Sequence, residues 1–362
     1  MSLLTRRHRL TRSAACAAVT VVGLLASLGL TSCADSGHAP DEGTRPVLAQ
    51  AGQQTARVND RHVIAISVDG LNPRALSKLG RKRAPNLHAL VFDEGAGTVN
   101  ARTQTEMTVT LPNHTSMVTG RRIAADKGGH GVTWNSESDH RSVHQAAGED
   151  VGSVFRQVHA AGGRTGVYAT KAKFALFKRS WPGAVDRNVI KVENNTAAVR
   201  ALRSDLASRP PSFAFLHLGK PDQAGHRSGW LGKRYLKAVR TVDRLLGSVM
   251  RQVRSTPALR GSTVIVLTSD HGGPKGGKNH SDRRDIQNYR VPFAIWGAGV
   301  DNVGLYRLNP QRATPGRGRP GPGAARQPIR NGDLGNVSLS LLGLPPIPGS
   351  KWGRGQDLTW RR

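Results

Sequence analysis

Five short runs of apolar, mostly β-branched or aromatic residues recur along the chain, at 62–68, 165–169, 213–216, 263–267 and 291–296. Runs this short and this uniformly apolar read as strands buried on both faces. Between them the apolar spacing changes to three and four. The segments 151–161, 197–207 and 233–254 therefore predict helices. The last is the longest, with Leu236, Val239, Val242, Leu246, Val249 and Val253 on one stripe. Alternating strand and helix predicts an α/β fold, a three-layer sandwich whose mostly parallel central sheet is flanked by helices. A closing helix is expected over 333–342, ended by Gly343 and the prolines after it. The stretch 313–328, Ala-Thr-Pro-Gly-Arg-Gly-Arg-Pro-Gly-Pro-Gly-Ala-Ala-Arg-Gln-Pro, reads as a loop too rich in Gly and Pro to pack.

The start of the chain follows a different pattern. Arg6, Arg7, Arg9 and Arg12 precede an apolar run from Ala14 to Leu30, which ends in Leu30-Thr31-Ser32-Cys33. This resembles a bacterial lipobox, so residues 1–32 are expected to be a lipoprotein signal peptide, with lipid on Cys33 holding an exported protein at the membrane. Thr5-Arg6-Arg7-His8-Arg9-Leu10 partly resembles a twin-arginine signal. Residues 33–61, rich in Gly, Ala, Gln, Asp and Pro, are expected to be a flexible tether, and 62–362 the folded domain. Cys16 leaves with the signal, so no disulfide framework is available.

The chain carries 53 Lys and Arg against 24 Asp and Glu, a formal charge of +29. Arginines are scattered rather than blocked and aromatics are scarce, which argues against a dedicated nucleic-acid reader. A solvated basic surface is the simplest reading; attraction of anionic substrates or lipid head groups is compatible with it.

Four stretches just beyond strand-like runs carry the candidate chemistry. They are Ser67-Val68-Asp69-Gly70, Thr110-Leu111-Pro112-Asn113-His114, Asp222-Gln223-Ala224-Gly225-His226 and Ser269-Asp270-His271-Gly272, with His280 following. In parallel sheets functional residues gather beyond the strands' carboxyl ends. Asp222 and His226 are four apart, so a helical turn lets both face one ion. Three carboxylates, three imidazoles and a hydroxyl suit a two-metal phosphoryl-transfer centre. The residues alone do not single out the hydroxyl, since Thr103, Thr105, Thr108, Thr115 and Ser116 lie near Thr110. Lys171 and Lys173 could reach a substrate phosphate, although a solvated loop is the favoured reading for both.

On these motifs, from about His62 to Leu344, the chain resembles the alkaline phosphatase superfamily, and within it the type I phosphodiesterase/nucleotide pyrophosphatase family. The resemblance implies the superfamily's sandwich fold and two divalent ions, Zn²⁺ by ligand type with Mn²⁺ admissible. It implies that Asp69, Asp270, His271 and Thr110 hold one ion, and Asp222, His226 and His280 the other. Thr110 would be the nucleophile, and Asn135, in His130-Gly131-Val132-Thr133-Trp134-Asn135, the donor to a phosphoryl oxygen, with the backbone N–H of Leu111 as a helper. The short gap from His271 to His280 departs from nucleotide pyrophosphatases and is closer to the superfamily's phosphomutases. The implied activity is hydrolysis of phosphodiester or pyrophosphate bonds in nucleotide-like substrates through a phosphothreonine. The alternative is a phosphomonoesterase on the same metals. A sulfatase is disfavoured, because Thr110-Leu111-Pro112-Asn113 stands where Cys-x-Pro-x-Arg would be required.

Overall fold

The computed structural model of the chain describes residues 56–362. The expected signal, Cys33 and most of the expected tether lie outside the described residues. The last few tether residues are bonded to the domain. The Val58 amide donates to the Ala161 carbonyl (3.2 Å), and Asn59 Nδ2 donates to the Leu341 carbonyl (3.1 Å).

Seven strands form one sheet among the described residues: β1 (His62–Val68), β2 (Ala96–Arg102), β3 (Thr165–Ala169), β4 (Arg187–Ile190), β5 (Phe213–Leu218), β6 (Thr263–Thr268) and β7 (Arg290–Gly297). Their spatial order is β2-β7-β6-β1-β5-β3-β4. The run from β6 to β4 is parallel, whereas β7 pairs antiparallel with β6, and β2 antiparallel with β7. The five expected strands are all present. The two that the apolar pattern does not reveal, β2 and β4, are the sheet's edges, where Thr98, Asn100, Arg187 and Asn188 need no buried face on both sides. β7 reverses direction because no long helix lies between it and β6 to carry a crossover.

Strict alternation within the central strands divides the interior into two cores. Val63, Ala65, Phe213, Phe215, Val264 and Val266 face the helices Thr110–Thr119, Val154–Ala160 and Leu334–Leu341. Ile64, Ile66, Ala214, Leu216, Ile265 and Leu267 face the helices Arg74–Arg83, Asn195–Ser208 and Lys233–Ser255. This is the expected three-layer sandwich. Both cores lie within the compact unit Gln54–Arg362, so that unit contains the apolar interior it needs to fold by itself.

The Gly/Pro-rich stretch 313–328 stays out of the core as expected, with Pro328 its one buried residue, but its backbone is tied down by hydrogen bonds. Buried Arg102 donates to the carbonyls of Gly316 (2.9 Å) and Gly318 (2.8 Å), and Arg319 donates to that of Gln104 (2.7 Å). Buried Arg330 reaches Pro320 and Gln327 from the other side. A chain without regular structure exposes unpaired carbonyls, and guanidinium groups with five donors each satisfy several at once.

Candidate metal and phosphoryl-transfer site

β6, β1 and β5 are adjacent in the sheet, so the residues following them meet at its carboxyl edge. Asp69 follows β1, and Asp270 and His271 follow β6. Asp222 and His226 sit on the helix Lys220–Ser228 that follows β5. The turn after β1 requires Gly70. Its φ is +70°, and a Cβ there would meet the Asp222 backbone at 3.0 Å. The same close approach lets the Asp222 amide donate to the Asp69 carbonyl (3.1 Å).

Two clusters result. Asp69, Asp270 and His271 form one, and Asp222, His226 and His280 the other, with ligand atoms in each within 4.8 Å of one another. His271 Nε2 lies 3.1 Å from Asp270 Oδ2, 3.4 Å from Asp69 Oδ1 and 3.8 Å from Asp222 Oδ1. His226 Nε2 and His280 Nε2 lie 3.3 and 3.8 Å from Asp222 Oδ1. All six sequence-predicted acid and His ligands are thus brought together. His280, reached by its loop rather than from a strand end, stacks on His271 with centroids 3.4 Å apart.

The donor set fits divalent ions. Asp69 Oδ1, Asp222 Oδ1, Asp270 Oδ2 and His271 Nε2 are buried, converge on the two clusters and have no hydrogen-bond partner. Buried polar atoms are otherwise almost always paired, so four orphans together mark a place for something absent from the polypeptide. The imidazoles are already oriented. Nδ1–H of His226, His271 and His280 donates to the carbonyls of Lys278 (2.9 Å), Gly272 (2.8 Å) and Thr108 (2.7 Å), leaving each Nε2 lone pair toward its cluster. Burial, reinforced by the neighbouring His271, pushes His280 down to about 3, and burial lowers His271, so both are neutral, as ligands must be. His226, half exposed, is instead raised by its hydrogen bond with Asp222.

Lys171 was expected in a solvated loop, and the structure corrects this. Its ammonium is buried between the clusters, 2.6 Å from Asp69 Oδ2 and 2.8 Å from Asp222 Oδ2. Each of these carboxylates therefore gives one oxygen to Lys171 and leaves the other orphaned. Burial opposes the charges, but Lys171, His217 and His271 together outweigh it and hold Asp69 well below the usual carboxylate range; Asp222 is lowered too. Asp270 lacks this partner and is raised by burial and by Asp69. His217 Nε2–H also donates to Asp69 Oδ2 (2.9 Å). His217 was missed in the sequence. The available signal was an imidazole inside the apolar run Phe213–Leu218. Lys173 donates to the Asn135 carbonyl rather than lying free.

Thr110 is the first residue of the helix Thr110–Thr119 and is buried. Several contacts join this helix start to the clusters. Thr108 holds His280, and the Thr110 carbonyl accepts from His114 Nδ1 (2.8 Å), whose ring lies 3.6 Å from Asp270 Oδ2. Asn113 fixes the approach, donating to the carbonyls of Met107 (2.9 Å) and Val109 (3.0 Å) and accepting from the Gln104 amide (3.0 Å). Asn135 lies over the same helix end. The Leu111 N–H donates to its Oδ1 (3.0 Å), so this amide orients Asn135 and leaves its Nδ2 as the free donor. His130, two-coordinate with Ser116 Oγ (2.9 Å) and the Val132 amide (3.1 Å), anchors the loop that carries Asn135.

The model of the type I phosphodiesterase / nucleotide pyrophosphatase family matches residues 63–311. GPI ethanolamine phosphate transferase 1 of Neurospora crassa is 26% identical over 278 residues, covering 72% of this chain and 26% of that protein. Ectonucleotide pyrophosphatase/phosphodiesterase family member 1 of Mus musculus is 27% identical over 183 residues, covering 47% of this chain and 19% of that protein. The chain thus spans about a quarter or less of the length of these curated relatives. The structure of murine ectonucleotide pyrophosphatase / phosphodiesterase 5, inactive and in complex with AMP, shares the fold. It has a TM-score of 0.59 at 16% identity, covering 83% of this chain and all of that one.

Proposed function

Because the chain belongs to the type I phosphodiesterase / nucleotide pyrophosphatase family, we propose that it hydrolyses phosphodiester or pyrophosphate bonds of nucleotide-like substrates through a phosphothreonine on Thr110. The observation that carries this reading is the set of four orphaned ligand atoms shared between two clusters beside the Thr110 helix. Asp69, Asp270, His271 and Thr110 would hold one divalent ion, and Asp222, His226 and His280 the other, with Zn²⁺ the best match to the ligand types. Bound there, such ions would acidify the threonine hydroxyl and offset the charge that grows on the phosphoryl oxygens.

The chain's own groups do the rest. Thr110 Oγ1 attacks phosphorus while the bond to the leaving oxygen breaks, and water later cleaves the Thr–phosphate ester. Asn135 Nδ2 donates to a phosphoryl oxygen, its own carbonyl held by the Leu111 amide. The N-terminus of the Thr110–Thr119 helix adds a partial positive charge at the same place. A neutral Asn suits a diester's single charge. The murine structure's complex with AMP supports a nucleotide-like group, and the fungal relative's name refers to transfer of ethanolamine phosphate. The sequence before the domain supports export and lipid attachment at Cys33.

Hydrolysis of bis-p-nitrophenyl phosphate and of p-nitrophenyl phosphate, each with and without chelator, tests the reading. Chelator-sensitive preference for the diester is expected. A preference for the monoester would transfer the assignment to a phosphatase, and activity indifferent to chelator would remove the metals from it.

A further inference from the structure

The helix Lys233–Ser255 has seven exposed side chains that are cations: Lys233, Arg234, Lys237, Arg240, Arg244, Arg251 and Arg254. Its single acid, Asp243, is buried, where it accepts from the Leu87 amide (2.8 Å) and Asn86 Nδ2 (2.9 Å). Only Arg254 of the seven forms an ion pair among the described residues, with Glu94. The others face solvent uncompensated. Two cavities open along this face. One, of about 390 Å³, has Arg83, Lys233, Lys237, Arg240 and Arg244 around an apolar floor of Leu79 and Leu236. The second, of about 220 Å³, shares Lys237 and adds Lys220, Arg227 and Arg234. No acidic residue lines either cavity.

We propose that this face is a docking surface for a bilayer containing anionic phospholipid. Charge complementarity selects the occupant. A row of cations from Lys233 to Arg254, about 32 Å long at 1.5 Å per residue, matches a flat array of phosphates. Cavities with basic rims and apolar floors suit a head group with the start of its acyl chains. Base-reading partners need aromatic stacking surfaces, and none lines either cavity. The surface also borders the candidate active site. Lys220 and Arg227 belong to the helix that carries Asp222 and His226, and His226 is itself half exposed. The binding claim does not rest on the catalytic reading.

Vesicle co-sedimentation of residues 54–362, which carry no Cys33, tests it. The domain should bind phosphatidylcholine vesicles containing phosphatidylglycerol and not pure phosphatidylcholine, and high salt should release it. At about one kcal/mol per basic residue near the surface, K237Q/R240Q/R244Q should weaken binding on the order of 100-fold. The same number of charges removed elsewhere, in K351Q/R354Q/R361Q, should change it by less than about threefold if distance screens them. Hydrolysis of the soluble diester by K237Q/R240Q/R244Q should match the unmodified domain. Equal losses from both triple variants would reduce the effect to bulk charge and overturn the surface. So would equal binding to both kinds of vesicle, or binding of a single-stranded oligonucleotide with none to vesicles.

Discussion

Replacing Lys171 by Met removes the only cation between the clusters among the described residues while keeping the length of the side chain. Asp69 Oδ2 would lose a partner at 2.6 Å and Asp222 Oδ2 one at 2.8 Å, both carboxylates lying almost wholly out of solvent. His217 would remain on Asp69 and His226 on Asp222, and the two carboxylates would face each other without compensation. Breaking a buried ion pair from one side costs about 3–5 kcal/mol. Each kcal/mol corresponds to about 2–4 °C in a domain of a few hundred residues, so the metal-free variant should melt roughly 6–20 °C below the unmodified protein. Divalent ions offer the same carboxylates another source of positive charge, so much of this loss should disappear when zinc is added. Lys171→Met should also bind zinc more tightly, because no ammonium competes for the two aspartates. Differential scanning fluorimetry in chelator and in excess zinc, with calorimetric titration of the metal, measures both. An equal drop in melting temperature with and without zinc would refute the reasoning and leave Lys171 as a packing residue.

Thr110→Ala should keep its metal content and melting temperature but lose turnover of bis-p-nitrophenyl phosphate by several orders of magnitude; ordinary activity would move the nucleophile elsewhere. His280→Ala should lower bound metal by about one ion per chain, read by elemental analysis after dialysis, and unchanged content would exclude it as a ligand. Arg330→Met leaves the carbonyls of Thr103 and Pro320 unpaired. It should cost about 3 kcal/mol or more in urea unfolding and speed proteolysis within 313–328; a cleavage rate like the unmodified protein's would contradict the account of that loop. Burial raises Glu106, but its hydrogen bond from Arg122 (2.7 Å), the Arg122 charge and backbone hydrogen bonds together outweigh this and hold it low. A depressed carboxyl contributes stability that is present above its unfolded pKa and lost as pH falls through the folded one. Glu106→Gln should therefore destabilise the protein at pH 7 and have little effect near pH 3, as seen in parallel urea titrations.

Much of this protein was legible along the chain because its central strands are buried on both faces and most of its candidate ligands, His280 excepted, follow those strands closely. Continuous apolar runs disclosed β1, β3, β5, β6 and β7. Two-fold burial also explains why edge strands β2 and β4, half polar, gave no such signal. The metal-ligating residue types could be read in order, and the family pattern singled out Thr110 from its neighbours. What the linear order could not disclose was which long-range partner each charged group would meet. Lys171 reads as a loop lysine until β3 lies beside β5 and delivers its ammonium to Asp69 and Asp222. His217 reads as an intruder in an apolar strand until β1 places Asp69 against it. The 313–328 segment reads as unpackable because Gly and Pro contribute no side chains to a core, and it stays outside the core, yet Arg102 comes from a distant position to join nearby Arg330 in satisfying its carbonyls. Burial follows from local periodicity, whereas electrostatic pairing depends on distances that exist only once the sheet is assembled.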